Sequence, residues 1–350
     1  MHLTHGGPDA SGVPLHDFST NSNALGPCPL ALAAVREADP SRYPDPRYTA
    51  LRARLAAHHC VAAERIVLAA SASEFIFRIT AAMAQRGAGC VVLPAHSYGD
   101  YEMAARAWRW VVQRESSPFM PAVETSDADQ SPRLLWRCDP SSPMGQGDIM
   151  LGAWVDGLRR DDVGVIDLAY EPLRLSGGLS LSAAQRDRVW QLWTPNKALG
   201  LTGVRAAYAV APATSTALQQ TVEALAPSWP VGAHGVAMLG AWTTPQVRQW
   251  VSHSLGTLVD WKRQQLALCS AMGWQVEPSN ANFFCARPPI PPATSFLPMR
   301  DVAALCAALR TQGIKLRDAT SFGLPGVVRL GVLPPASQAA LKSAWDALAR

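Results

Sequence analysis

Between residues 49 and 170 the hydrophobic pattern switches repeatedly between short continuous apolar runs and helical periodicity. The runs are "RIVLAA", "GCVVLPA", "LLWRCDP" and "VGVIDLAY". Between them stand "SEFIFRITAAMAQRG", "YGDYEMAARAWRW" and "GDIMLGAWVDGLRR", with "RYTALRARLAAHH" ahead of the first run. A strand that is apolar on both faces has to be covered on both faces, and a helix after each strand supplies that cover. The expected fold class is therefore α/β, with a mostly parallel sheet flanked by helices. In such sheets ligands gather beyond the carboxyl ends of the strands, so the polar residues just after each run are the ones to examine.

A chain of 350 residues exceeds the roughly 250–300 at which single cores stop growing. Residues 1–46 read as an extended arm with one helical stretch, "PLALAAVREA", and residues 47–244 as a large domain. Residues 245–350 read as a smaller C-terminal α+β domain built from "SLGTLVDWKRQQLALCSAMG", "NFFCARP", "RDVAALCAALRTQG" and "GVVRLGV". The formal charge of +4 comes without a basic stripe, which argues for an anionic small molecule and against nucleic acid. Seven scattered cysteines with no CxxC pair suit reduced thiols. His58 and His59, on an amphipathic helix, are expected to face solvent, and no metal site is expected. With no basic and apolar leader pattern and no apolar run of about twenty residues, a cytoplasmic protein without membrane contact is expected.

The strand ends carry "SASE" (71–74), "AHSYGDY" (95–101), "DPSSPMG" (139–145) and "DLAY" (167–170), followed by "TPNKALGLTGVRAAY" (194–208). Only four of the 31 basic residues are lysines: Lys197, Lys262, Lys315 and Lys342. An arginine stays protonated, whereas a lysine amine can be made nucleophilic, so a lone lysine between a Thr-Pro-Asn turn and a glycine-punctuated run invites a chemical role. In order and spacing these stretches resemble fold-type I pyridoxal-phosphate enzymes of the aminotransferase class I and II family, over essentially the whole chain.

The resemblance implies pyridoxal 5′-phosphate as cofactor, carried on Lys197 as a Schiff base, with Arg205 and Thr194 at its phosphate. Asp167 matches the carboxylate that pairs with the pyridine nitrogen and keeps the ring an electron acceptor. Tyr170 matches the phenol on the ring oxygen, and Tyr98 the aromatic stacked on the ring. Ser71, Ala72 and Ser73 match the turn that cradles the phosphate at a helix N-terminus, with Ser71 in place of the usual glycine. Ser142 stands where the family writes an asparagine that bonds the ring oxygen. Tyr43, in "SRYPDP", matches a tyrosine that reaches the neighbouring subunit's cofactor phosphate, which implies a homodimer.

The opening "HGG" (5–7) and "DFSTNSNALGP" (17–27) resemble threonine-phosphate decarboxylases of cobalamin biosynthesis, apart from Ala24 in place of a proline. Histidinol-phosphate aminotransferases share the later asparagine-rich element. The first reading is decarboxylation of L-threonine O-3-phosphate to (R)-1-amino-2-propanol O-2-phosphate. A second is an aminotransferase of the histidinol-phosphate type, and a third, prompted by Ser142, Ser71 and Ala24, is a non-catalytic protein that keeps the fold. In either enzyme the partner is a small phosphorylated amino-acid substrate. Arg329 would clamp a carboxylate in bidentate fashion and Arg317 a second anion. His5, Gly6, Asn21 and Asn23 are the remaining substrate-side candidates.

Overall fold

The computed structural model describes residues 6–115, 131–289 and 301–348. Along the chain the strands are β1 (His16–Asp17), β2 (Ile66–Ala69), β3 (Cys90–Leu93), β4 (Val111–Arg114), β5 (Arg133–Cys138), β6 (Val163–Asp167) and β7 (Trp190–Trp193). There follow β8 (Ala207–Val210), β9 (Gln275–Val276), β10 (Phe283–Arg287), β11 (Ile314–Lys315), β12 (Arg317–Asp318) and β13 (Val328–Gly331). The larger sheet has the order β2-β8-β7-β6-β5-β3-β4. Only β8 runs against the other six. This is the α/β, mostly parallel arrangement expected from the sequence.

Alternation along the strands feeds two cores. Val67, Ala69, Ala207 and Ala209 point into one with Phe75, Ile79, Tyr101 and Trp136. Ile66, Leu68, Tyr208 and Val210 point into the other with Leu51, Leu55, Met238 and Leu239. Successive strand side chains face opposite ways, so each buried strand must be apolar throughout, which is why these runs look continuous. Helix Ala72–Gln85 buries Phe75, Ile76, Ile79 and Met83, one stripe at helical spacing.

Three strands of the larger sheet, β4, β7 and β8, were absent from the sequence reading, as were the two-residue strands β1, β9, β11 and β12. The helix expected over "YGDYEMAARAWRW" ends at Ala107. Arg109 then adopts a left-handed conformation, φ 58°, which turns the chain into edge strand β4. β7 and β8 are four residues each and are held by pairing with each other and with neighbours far away in sequence, which outweighs their short local signal. The helix expected over "GDIMLGAWVDGLRR" shrinks to Leu151–Asp156.

A second sheet, β12-β13-β10-β9, is antiparallel throughout. Helices Val302–Thr311 and Pro335–Leu348 contribute Leu305, Leu341 and Trp345 to its core, where they join Trp274, Phe284 and Leu330. Phe18, from the N-terminal arm, is fully buried in this same core, and β1 pairs in parallel with β11. The 27-residue helix Pro245–Ala271 joins the parts: Val247, Val251 and Leu258 pack with the large sheet, Cys269 with the small one. Pro245 opens it and the Thr244 hydroxyl accepts from the N–H of Val247, the usual N-terminal device.

His58 and His59 correct the expectation of a solvent-facing pair. The His59 ring bonds the Tyr208 hydroxyl at 2.8 Å, and burial, with His58 nearby, pulls its pKa down to about 3. Among the described residues, no helix is long and apolar enough to cross a membrane.

Candidate active site

The carboxyl ends of β2, β3, β5, β6 and β7 converge on a cavity of about 450 Å³. Fourteen of the candidates named from sequence line it: Gly6, Asn21, Ser71, Ala72, Ser73, Tyr98, Ser142, Asp167, Tyr170, Thr194, Lys197, Arg205, Arg317 and Arg329. His5 lies outside the described residues. Asn23 belongs elsewhere: its buried amide donates to the Ala198 carbonyl at 3.0 Å and the Ser254 hydroxyl at 2.8 Å, so it fastens the arm to the fold. Tyr43 is 78% exposed, away from this cavity, with its ring stacked on Trp229 at 4.3 Å.

Lys197 follows β7 in a compact turn. The N–H of Gly200 bonds the Lys197 carbonyl and that of Leu201 the Asn196 carbonyl. Gly200 has φ 67°, and a Cβ there would lie 2.4 Å from the Gly26 carbonyl oxygen, so both its conformation and the arm packed against it require glycine. The arm closes the turn from outside: the Asn23 N–H donates to the Lys197 carbonyl at 2.9 Å. Lys197 Nζ stands 3.5 Å from Thr194 Oγ1 and 5.2 Å from the centre of the Tyr170 ring.

Asp167 ends β6, buried. Its Oδ1 accepts from the Ala169 N–H at 2.9 Å and its Oδ2 from the Tyr101 hydroxyl at 2.7 Å. Burial raises its pKa, opposed by Tyr101, Lys197 and the Ala169 N–H. Tyr101 is a residue the sequence reading missed. It sits three positions beyond Tyr98 in the first turn of helix Gly99–Ala107, a spacing that puts both rings on one side. Its ring stacks on Trp136 at 4.4 Å and meets Tyr98 edge-on at 5.8 Å. The Tyr98 hydroxyl lies 3.3 Å from Ser73 Oγ, and burial, then Asp100, raises its pKa.

Ser71 caps helix Ala72–Gln85 by accepting from the Glu74 N–H at 3.1 Å. Its hydroxyl is thereby engaged, and the start of the helix, with its free N–H groups, lines the cavity. Tyr170 is held by Phe283, edge-on at 4.7 Å, and by the Asn21 amide, 3.4 Å from its hydroxyl. Asn21 Oδ1 and Asn196 Oδ1 are buried acceptors without a protein partner.

On the opposite wall Arg317 and Arg329 are direct partners across β12 and β13. Arg317 donates to the Asp318 carbonyl and to Ser321 Oγ, both at 2.7 Å. Arg329 donates to the Ser19 carbonyl at 3.3 Å, and its Nε is buried and unbonded. Burial, then Arg329, lowers the pKa of Arg317 to about 10. Gly6 completes this wall, and a Cβ on it would lie 2.2 Å from the Ser19 carbonyl oxygen.

This donor set fits a planar, phosphorylated, aldehyde-bearing ring. It offers one lysine amine, a buried carboxylate, tyrosine rings, a helix start with its N–H groups and hydroxyls, and the Arg205 guanidinium, all lining one cavity.

Comparison with known proteins agrees with that geometry. The aminotransferase class I and II profile matches residues 14–348. A histidinol-phosphate aminotransferase of Jannaschia sp. (strain CCS1) is 27% identical over 348 residues, covering 95% of this chain and 90% of the relative. The structure of histidinol-phosphate aminotransferase from Sinorhizobium meliloti, in complex with pyridoxal-5′-phosphate, superposes with a TM-score of 0.76 at 20% identity, covering 99% of this chain and 95% of that one. That of L-threonine-O-3-phosphate decarboxylase from Porphyromonas gingivalis gives 0.67 at 21% identity, covering 91% and 92%.

Proposed function

The chain belongs to the aminotransferase class I and II family of fold-type I enzymes, and on that premise we propose that it decarboxylates L-threonine O-3-phosphate to (R)-1-amino-2-propanol O-2-phosphate. The cofactor is pyridoxal 5′-phosphate, which when bound supplies an electron sink joined to the substrate's amine. Lys197 would hold it, the helix start at Ser71–Ser73 with Thr194 and Arg205 would receive its phosphate, and Asp167 would pair with its ring nitrogen. Tyr98 would supply an aromatic surface for the ring and Tyr170 a hydroxyl for its oxygen.

Arg329 receives the substrate carboxylate, while Arg317 with Ser321 receives the phosphate. Holding both ends fixes the bond to the carboxyl carbon relative to the ring, so binding remote from the chemistry contributes to rate. Loss of carbon dioxide leaves that carbon one proton short, and the Lys197 side chain, as its ammonium, would supply it. Tyr43 would serve the cofactor phosphate of a second copy, making the working unit a homodimer.

The observation that carries this reading is the pair of arginines that line one cavity with Lys197, bonded among the described residues to carbonyls and a hydroxyl, beside a glycine of the arm. Threonine phosphate presents a carboxylate and a phosphate at once. A second reading, amino transfer involving histidinol phosphate, is favoured by the relatives that carry that name. Single-turnover incubation with threonine phosphate separates the two. Carbon dioxide released in step with aminopropanol phosphate supports decarboxylation, whereas transfer of the amine to the cofactor without gas release supports the second.

A further inference from the structure

We propose that Phe322 is a specificity-determining residue, whose ring face keeps Arg317 and Arg329 together as an unneutralised pair and so selects substrates with two anionic groups. The proposal rests on the phosphorylated-substrate reading above and assigns that selectivity to a residue outside the cofactor machinery.

Both guanidinium carbons lie over the Phe322 ring, that of Arg317 at 4.8 Å from its centre and that of Arg329 at 5.4 Å. Both arginines are buried, 4% and 7% exposed. Two like charges on directly paired strand positions repel, and a buried cation normally takes a carboxylate partner. Among the described residues no carboxylate pairs with either: the Asp318 carboxylate accepts instead from the Thr320 N–H. A carboxylate would remove the repulsion by neutralising the site and spoiling it for anions. An aromatic face attracts both cations and leaves their charge available.

Phe322 is itself fixed. It lies in the turn Thr320–Phe322, its N–H bonds the Ala319 carbonyl at 2.9 Å, and its carbonyl is 2.9 Å from His96 Nδ1, which must carry the hydrogen because a carbonyl only accepts. His96 belongs to the stretch after β3 that also carries Tyr98, so the ring is referenced to the cofactor side of the cavity. Gly323, at φ 77°, lets the turn close beside that imidazole.

With a non-aromatic side chain of similar size the cavity keeps its shape but the cations lose their shared π face. Strand pairing, the hydrogen bonds to Asp318, Ser321 and Ser19, and the Phe283 ring 5.6 Å from Arg329 still hold the backbone and part of each side chain, but the two charges are no longer drawn to one face, and a ligand's second anion contributes less. The test is the ratio of the holoenzyme's apparent Kd for L-threonine to that for L-threonine O-3-phosphate, read from the cofactor's absorbance on rapid mixing. The ratio should fall about tenfold in Phe322→Leu, the scale of one or two desolvated cation–π contacts, and hold within about twofold in Phe322→Tyr. Phe322→Met provides a second non-aromatic protein should Phe322→Leu fail to retain cofactor. An unchanged ratio in the leucine or methionine protein overturns the proposal, as does an equal fall in the tyrosine protein. A wild-type ratio near one overturns the phosphorylated-substrate reading and this proposal with it.

Discussion

Asp167 shows how much of a site depends on a neighbour's neighbour. The residue was legible in the sequence because it ends an apolar strand inside "DLAY". Tyr101 was not, because "YGDY" offers two tyrosines and a cofactor ring needs only one on its face. In the structure the second phenol donates to Asp167 Oδ2, which makes the carboxylate a weaker base. If Asp167 pairs with the ring nitrogen as proposed, a weaker base would leave the shared proton on that nitrogen. In Tyr101→Phe the carboxylate loses that donor and the proton moves towards Asp167. Turnover should fall about tenfold, the scale of one charge-assisted hydrogen bond. The ¹⁵N resonance of bound labelled cofactor should move away from its protonated position. A slower enzyme with an unmoved resonance would mean that Tyr101 matters only for packing. Phe322 escaped the sequence reading for a related reason: its function comes from two arginines that lie apart from it in the chain and meet only when β12 pairs with β13.

Among elements, the segment 279–283 between β9 and β10 ties the site together. Asn280 N–H bonds the Gly145 carbonyl and the Leu175 N–H bonds the Asn280 carbonyl. The Asn282 amide reaches the Ser22 carbonyl at 3.0 Å, and Phe283 backs Tyr170. Lys262, on the long helix, clamps this segment by donating to the Ser279 carbonyl at 2.6 Å and the Ala281 carbonyl at 2.7 Å. The elements themselves were largely legible, since β2, β3, β5 and β6 are continuous apolar runs. Their cross-links were not, because backbone carbonyls leave no mark on residue choice. Burial lowers the Lys262 pKa from 10.5 to about 8. The folded chain thus holds this proton less tightly than the unfolded chain, so burial opposes folding below pH 8 and the penalty fades as pH rises towards 10.5. The unfolding free energy of wild type minus that of Lys262→Met should therefore increase between pH 8 and pH 10, by up to about 1.4 kcal/mol per pH unit. Urea titrations at pH 7, 8, 9 and 10 measure it, and a flat difference would show that the two carbonyls hold the ammonium charged throughout.

For the whole molecule, Tyr43 is the residue a single chain does not explain. It is exposed yet ordered by two contacts, its ring stacked on Trp229 and the Trp229 indole N–H donating to the Pro44 carbonyl at 3.0 Å. Trp229 adopts a left-handed φ of 49°, unusual for a large side chain. An aromatic pair preorganised at the surface suits a phenol presented to another copy. Mixing Lys197→Ala with Tyr43→Ala, each inactive alone, should restore up to about a quarter of wild-type activity through mixed dimers with one intact site. No recovery after verified subunit exchange would count against a shared site. The pairing of β1 with β11 and the burial of Phe18 beneath β13 also bear on the order in which the protein is made. Every strand of the large sheet, and Lys197 with Arg205, is encoded before residue 211, whereas Arg317, Phe322 and Arg329 come near the end. On the ribosome these residues of the cofactor side emerge on the order of ten seconds before the substrate side is synthesised, although Phe283, which holds Tyr170, comes only between the two. Through that interval the arm waits for the strand that will receive it, so the wall carrying Arg317 and Arg329 is the last part of the cavity to be made.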